Sequence, residues 1–269
     1  MNKNIKVSVI IPTFNDSIHI RKAIDSVLNQ TFKNFEIIVI DDGSADNTKD
    51  LLLDYIKSNK IIYKYQENSG VRIARNNGIL ISKGLYIAFL DSDDEWIDND
   101  KLLNQVNFFD NNLDYVLVGT GVVLIDILGK EITRYNMPET DKNIREKLLR
   151  INCFVNSSVL FRRNAINIIG NSDSILEDYD LWLRLGSMGK IANLPEYSVG
   201  YLIKTKGVNT KNKILRLKEN LLLTKKYKDI YPGYWKALIF GYLKIFFYPL
   251  FYVLPSSISG FLLKIHKKL

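Results

Sequence analysis

The sequence is poor in the residues that build redox and metal centres. It has one cysteine, Cys153, in 269 residues, which excludes an intrachain disulfide and a cysteine-rich zinc site. Its two histidines, His19 and His266, stand far apart, too few and too scattered for a histidine-based metal centre. The first apolar run, Val7–Pro12, is not followed by the glycine fingerprint of dinucleotide binding, and no GxxxxGK[ST] phosphate loop occurs anywhere. Internal repeats and low-complexity linkers are missing too. The apolar run behind Met1–Lys6 is too short for a secretory signal and has no small-residue cleavage site, which points to a reduced, cytosolic compartment.

What is present is the balance of a globular protein. Hydrophobic residues make up 46% and charged residues 25%, enough for a sizeable core and unlike a disordered, collagen-like or multi-span membrane chain. The formal net charge is +8, from 37 basic and 29 acidic residues. It is unevenly spread. From Gly200 onward there are 14 basic residues against Glu219 and Asp229, which leaves 23 basic and 27 acidic residues before it. A slightly acidic body thus carries a strongly basic C-terminal quarter, and anionic membrane and nucleic acid are the usual partners of such segments.

Periodicity divides the chain. Val7–Pro12, Phe35–Ile40, Ile61–Tyr65 and Leu85–Leu90 are short apolar runs that read as buried strands. Between them lie helical patterns: Ile20, Ala23, Ile24, Val27 and Leu28 form one stripe with Asp16 or Ser17 as its cap. Asp46 and Thr48 open a second helix, and Val71–Ser82 is a third. Strand and helix alternate four times, which predicts parallel strands with crossover helices, a doubly wound α/β sheet. Further on the pattern predicts a helix over Asn99–Phe109, strands over Tyr115–Ile125, Phe154–Phe161 and Tyr197–Ile203, a turn at Gly129-Lys130, and helices over Glu177–Leu185 and Lys213–Tyr227. The domain boundary falls near Asn209-Thr210. Residues 1–210 form the α/β domain, in two parts over 1–98 and 99–210 that meet where the rhythm of strand and helix changes. Residues 211–269 form a basic, aromatic, helical tail.

In an open α/β sheet, ligands bind beyond the carboxyl ends of the strands. Those ends read Pro12-Thr13-Phe14-Asn15, Asp41-Asp42-Gly43-Ser44, Glu67-Asn68-Ser69-Gly70 and Asp91-Ser92-Asp93-Asp94. Asp, Asn and Gly are common turn formers, which accounts for any one corner. It does not account for four carboxylates among the five residues Asp91–Glu95, because like charges so close are costly without a cation or donors. An EF-hand is excluded, since the sixth residue from Asp91 is Trp96 rather than glycine. An Asp-x-Asp at a strand end offers the hard oxygen ligands that suit Mg²⁺ or Mn²⁺ together with substrate phosphates.

These blocks, in order, resemble the family 2 inverting glycosyltransferases of GT-A fold that build bacterial surface polysaccharides such as O-antigen and capsule. The resemblance rests on Val7–Asn15, Ser26–Phe32, Phe35–Asp46, Asn68–Gly70 with Ala74–Ile79, Leu90–Asp94 and Glu177–Leu185, and it covers about residues 6–205. It implies a UDP-sugar donor, with Pro12 and Asp42 at the uracil, Asn68 and Arg75 at the base, ribose or donor side, and Thr13 and Ser92 among the donor-binding residues. Asp91 would face ribose and sugar, and Asp93, with Asp91, would hold Mn²⁺ or Mg²⁺ on the diphosphate. Asp178 would be the catalytic base, with Glu177 its acceptor-binding neighbour. Trp182 and Phe14 read as core rather than sugar platforms. Many relatives carry a Tyr-Arg-x-His segment after the acceptor helix; here Lys204 stands where the histidine would be, fit to pair with a diphosphate as a point charge. No Gln-x-x-Arg-Trp pattern of processive synthases occurs, so transfer of one sugar is expected.

The stretch Leu238–Leu254 is apolar and aromatic but interrupted by Lys244 and Pro249, which favours helices lying on an anionic membrane over a span. The expectation is a peripheral enzyme on the cytoplasmic face of the bacterial inner membrane. It would move one hexose (Glc, Gal or an N-acetylhexosamine) to a polyprenyl-diphosphate-linked saccharide, form a β-linkage, and bind no nucleic acid. Two alternative readings are a sugar-nucleotide pyrophosphorylase, which needs a glycine-rich basic loop where Thr13-Phe14-Asn15-Asp16 stands, and a non-enzymatic basic binder of membrane or nucleic acid, which needs neither Asp-x-Asp nor Glu177-Asp178.

Overall fold

The structure, a computed structural model, describes residues 4–165, 174–203 and 210–248. Lys204 and the tail beyond Tyr248 lie outside the described residues, as does Asn209 of the expected boundary.

Strands Val7–Thr13 (β1), Phe35–Asp41 (β2), Ile62–Tyr65 (β3) and Tyr86–Phe89 (β4) alternate with helices Ile20–Leu28 (α1), Thr48–Lys57 (α2) and Val71–Ile81 (α3). They pair in parallel in the order β3-β2-β1-β4. A parallel strand covered on both faces has to be apolar throughout, and β1 is buried at all seven positions. Val7, Val9 and Ile11 join Ile24, Val27, Ile37 and Val39 in one core. On the other face Gly78 of α3 comes so close that a Cβ there would sit 2.5 Å from Ile10 Cγ2.

The second half makes the sheet mixed. Its elements are Glu95–Trp96 (β5), Lys101–Asn111 (α4), Tyr115–Ile125 (β6), Glu131–Tyr135 (β7), Asp141–Leu148 (α5), Leu160–Arg162 (β8), Glu177–Met188 (α6) and Lys190–Leu202 (β9). β8 runs antiparallel beside β4, and the sheet continues through β6, β9 and β5, with β7 on β6; β6 and β9 are parallel to each other and the other new pairings are antiparallel. The expected α/β class is the observed one. Three local expectations are corrected. Neither Asp16 nor Ser17 caps α1 with its side chain; the helix starts at Ile20, and Asp16 instead accepts from Ser92 Oγ and meets His19 Nδ1. Phe154–Phe161 is not one strand, because Asn156–Ser158 is a 3-10 turn. β9 begins at Lys190, well before Tyr197.

The chain divides into two compact units. The larger holds β1 to β9; the smaller holds Arg145–Ile151, Ser174–Leu176 and the helices Thr210–Lys226 (α7) and Tyr234–Phe247 (α8). Within the smaller unit, Leu221 and Leu223 of α7 are buried with Tyr227, Tyr231 and Ala237. Gly241 lets the two helices meet closely, since a Cβ there would lie 2.3 Å from Leu221 Cδ2.

Candidate active site

The carboxyl ends of β1, β2 and β4 open into a cavity of about 520 Å³. It is lined by Pro12, Thr13, Asp42, Asn68, Arg75, Asp91, Ser92 and Asp93, the donor-side residues singled out in the sequence other than Lys204. Phe14 also lines it and is 49% exposed, so it is not core. The Thr13 hydroxyl, by contrast, is buried and has no hydrogen-bond partner among the described residues, an orphan donor at the cavity wall.

The loops around the cavity are tied to each other. Asn15, in the left-handed region at φ 49°, donates its N–H to Ser44 Oγ (2.9 Å), and its Oδ1 accepts the Ala45 N–H (2.8 Å). Gly43 has φ 87°, and a Cβ there would sit 2.8 Å from the Asn68 nitrogen, so this corner accepts only glycine. Both oxygens of Asp42 are engaged: Oδ1 accepts from Gln66 Nε2 (2.7 Å) and the Ser69 N–H (2.8 Å), Oδ2 from the Gly70 N–H (2.9 Å). Asp42 therefore fixes the entry to α3, which carries Arg75.

The acid cluster is compensated from within the chain. Asp91 Oδ1 accepts from Arg75 Nη2 (2.6 Å) and Asn156 Nδ2 (2.9 Å), and the Asp91 N–H donates to Ser157 Oγ (3.0 Å). The buried Asp94 accepts from Ser157 Oγ and the Leu202 N–H. Its burial, then the charges of Asp91 and Asp93, push its carboxyl up to about 8, so it holds a proton at neutral pH. Among the described residues no group of three or more His, Cys, Asp or Glu side chains gathers to cage a metal ion. The carboxylates of Asp91 and Asp93 on one cavity wall nonetheless fit a hard divalent ion of the kind bound by one or two carboxylates, with phosphate oxygens and water completing the shell.

Arg75 joins this cluster to the second motif. It is 8% exposed, and its Nη1 lies 2.8 Å from Glu177 Oε1 while its Nη2 holds Asp91. Two carboxylates distant in the chain, one after β4 and one at the start of α6, thus share one buried guanidinium, which stands over the Phe89 ring at 5.7 Å. Burial raises the Glu177 carboxyl, and Arg75 opposes that shift. Asp178, next to it at the start of α6, accepts a longer bond, 3.2 Å from Asn152 Nδ2. Asp180 is fully buried and paired with Arg184 at 3.0 Å. Trp182 is core as expected, among Phe89, Phe154 and Phe161.

Sequence reasoning missed Asn156, Ser157 and Tyr201. Burial, followed by the charges of Asp94, Asp91, Asp93 and Asp178, raises the Tyr201 phenol to about 12. The signal available for the first two was the acid run itself, which demands donors from somewhere.

The family model described as Glycosyl transferase family 2 matches residues 8–170. The "Uncharacterized glycosyltransferase RP339" of Rickettsia prowazekii is 34% identical over 245 residues, 86% of this chain and 72% of that protein. The Escherichia coli "UDP-Glc:alpha-D-GlcNAc-diphosphoundecaprenol beta-1,3-glucosyltransferase WfaP" is 32% identical over 225 residues, 83% of this chain and 82% of that one. Other rickettsial relatives are longer, the chain spanning 58%, 28% and 31% of three of them. Among solved structures, S. aureus TarS 1-349 superposes with a TM-score of 0.66 at 20% identity, over 90% of this chain and 72% of that one. TarS 1-349 is also solved in complex with UDP-GlcNAc.

Proposed function

Since the chain belongs to glycosyl transferase family 2, has the GT-A fold and is therefore a glycosyltransferase, we propose that it is an inverting hexosyltransferase. Its donor is a UDP-sugar, and its acceptor is a saccharide on a polyprenyl diphosphate. It acts as a peripheral enzyme at the cytoplasmic face of a bacterial inner membrane and adds one β-linked hexose in O-antigen, lipopolysaccharide or capsule synthesis.

The observation that carries this reading is the Arg75 bridge, which brings the Asp91 end of β4 and the Glu177-Asp178 start of α6 to one centre. Pro12, Thr13, Asp42 and Asn68 hold the nucleotide end of the cavity, with the Thr13 hydroxyl offering an unused donor. Arg75 occupies Glu177 in an ion pair at 2.8 Å, which favours its neighbour as the proton acceptor. Asp178 takes the proton of the attacking acceptor hydroxyl as that oxygen bonds to the anomeric carbon. UDP departs from the opposite side, and an α-linked donor gives a β-linked product. Asp93 and Asp91 would hold a Mn²⁺ or Mg²⁺ ion, which when bound would supply positive charge against that gathering on the leaving diphosphate. Lys204 adds a second cation to the diphosphate in this reading.

Titration calorimetry tests the donor site. UDP with Mn²⁺ should bind, and affinity should fall in EDTA and in Asp93→Ala. Binding unchanged by both treatments removes the metal role.

A further inference from the structure

Helix α8 buries only Ala237 of its 14 residues. Gly241 sits against Leu221, which turns one side of α8 toward α7. On the opposite side, Trp235, Ile239, Tyr242, Leu243 and Phe246 follow the spacing i, i+4, i+7, i+8, i+11 and form one stripe. They are exposed at 72, 56, 52, 44 and 69%. An exposed contiguous stripe of large apolar side chains marks a binding surface rather than scatter.

The flanks are cationic. Residues 210–248 hold nine Lys and Arg against Glu219 and Asp229. Lys225 Nζ of α7 lies 5.8 Å from the Tyr242 ring, and Lys213 Nζ lies 5.1 Å from the Tyr248 ring. Lys244 shares its partly buried edge with Arg150, and burial followed by that like charge lowers its pKa, so an anion there would relieve both. Tyr and Trp at the border of an apolar stripe, with lysines beside them, match the composition of a bilayer interface. At about 1.5 Å per residue a helix of 14 residues is about 21 Å long, short of the ~30 Å hydrocarbon core. No helix of the described residues is long and apolar enough to cross a membrane. Two other occupants fit less well. A second copy on a two-fold axis would set these lysines against themselves. Nucleic acid would leave the aliphatic stripe uncovered.

We propose that the Trp235–Ile239–Tyr242–Leu243–Phe246 face of α8 lies in the plane of an anionic membrane, its apolar side chains in the interface and the surrounding lysines on the lipid head groups. This deepens the lipid-linked acceptor reading by naming the surface that meets the bilayer, but its test needs neither donor nor acceptor.

The test uses the full chain and vesicles of anionic or zwitterionic phospholipid with brominated acyl chains. Trp96 and Trp182 are buried at 3% and 0% exposure, so quenching by lipid bromine reports Trp235. The expected result is quenching with anionic vesicles, stronger for bromines near the head group than near the chain end. Trp235→Phe should lose the quenching and still co-sediment, and Ile239→Glu with Phe246→Glu should weaken co-sedimentation at least about tenfold while UDP binding persists. Three results overturn the proposal: no quenching and no sedimentation, quenching strongest deep in the bilayer, or a vesicle-independent dimer that the Glu pair dissociates. Absence of sugar transfer from a UDP-sugar with vesicle binding intact would instead count against the catalytic reading alone and leave the face standing.

Discussion

Glu177 and Asp178 are neighbours in the chain, yet the fold gives them different partners. Glu177 is committed to Arg75 at 2.8 Å, whereas Asp178 accepts from Asn152 Nδ2 at 3.2 Å. One Glu177 oxygen is tied up as an acceptor for the guanidinium, whereas Asp178 makes the longer contact and is the carboxylate proposed to take the proton. Asp178→Asn keeps the shape and removes the basicity, so turnover should drop about 10²–10⁴-fold while UDP affinity stays the same. Near wild-type turnover would pass the role to another group. Asp94 supplies a second test, by pH. Its folded carboxyl, at about 8, lies above the unfolded value of 3.8. Between those two pH values the folded chain keeps a proton that the unfolded chain has released, so this group's contribution falls as pH rises through the window. In metal-free protein Asp94→Asn should flatten that part of the thermal-stability profile; an unchanged slope would place the shared proton elsewhere in the cluster. At this scale the sequence was informative where residues of one corner are contiguous, as in Asp91–Asp94. It was silent on Asn156, Ser157 and Tyr201, whose roles arise only when distant segments fold beside that corner.

Elements with uniform burial were readable and those with mixed surroundings were not. β1 and β2 are apolar because both faces are covered, and their expected limits hold to within a residue. β9 was half missed because Leu194-Pro195-Glu196 breaks its apolar pattern, and its pairing with β6 shifts register at the facing Thr120/Gly121. Asn156–Ser158 carries strand-like neighbours, yet its side chains are needed by Asp91 and Asp94, and the backbone coils to deliver them. The α1 cap failed for a similar reason, since Asp16 is spent on Ser92. The α3–β1 contact gives an element-level prediction. Alanine is the better helix former by about 1 kcal/mol, but a Cβ on Gly78 would sit 2.5 Å from the fully buried Ile10. Overpacking of a tight core costs about 1–3 kcal/mol. Gly78→Ala should therefore lower the urea midpoint despite its propensity. It should also cut activity, because Arg75 lies one turn earlier on the same helix. A raised midpoint would mean that α3 has room to shift.

At the scale of the whole molecule, charge is the property that was plain in the sequence before any fold. The basic quarter after Gly200 opposes a slightly acidic body, and the described part of that quarter pairs its lysines with exposed aromatic and aliphatic side chains. Two terms should then hold the full chain to anionic vesicles. Each lysine near the surface adds about 1 kcal/mol, and this part is screened as the Debye length shrinks from ~10 Å at 0.1 M salt to ~3 Å at 1 M. The apolar term, from Trp235, Ile239 and Phe246 leaving water, is not weakened by salt. Co-sedimentation should accordingly fall in steps with rising salt and level off above zero. Release of all protein at high salt would make the attachment purely electrostatic and remove the inserted face. A flat salt profile would instead remove the lysines from the contact. The plateau is the informative quantity, because it measures the apolar term alone and should drop further in Phe246→Glu than in Lys225→Gln.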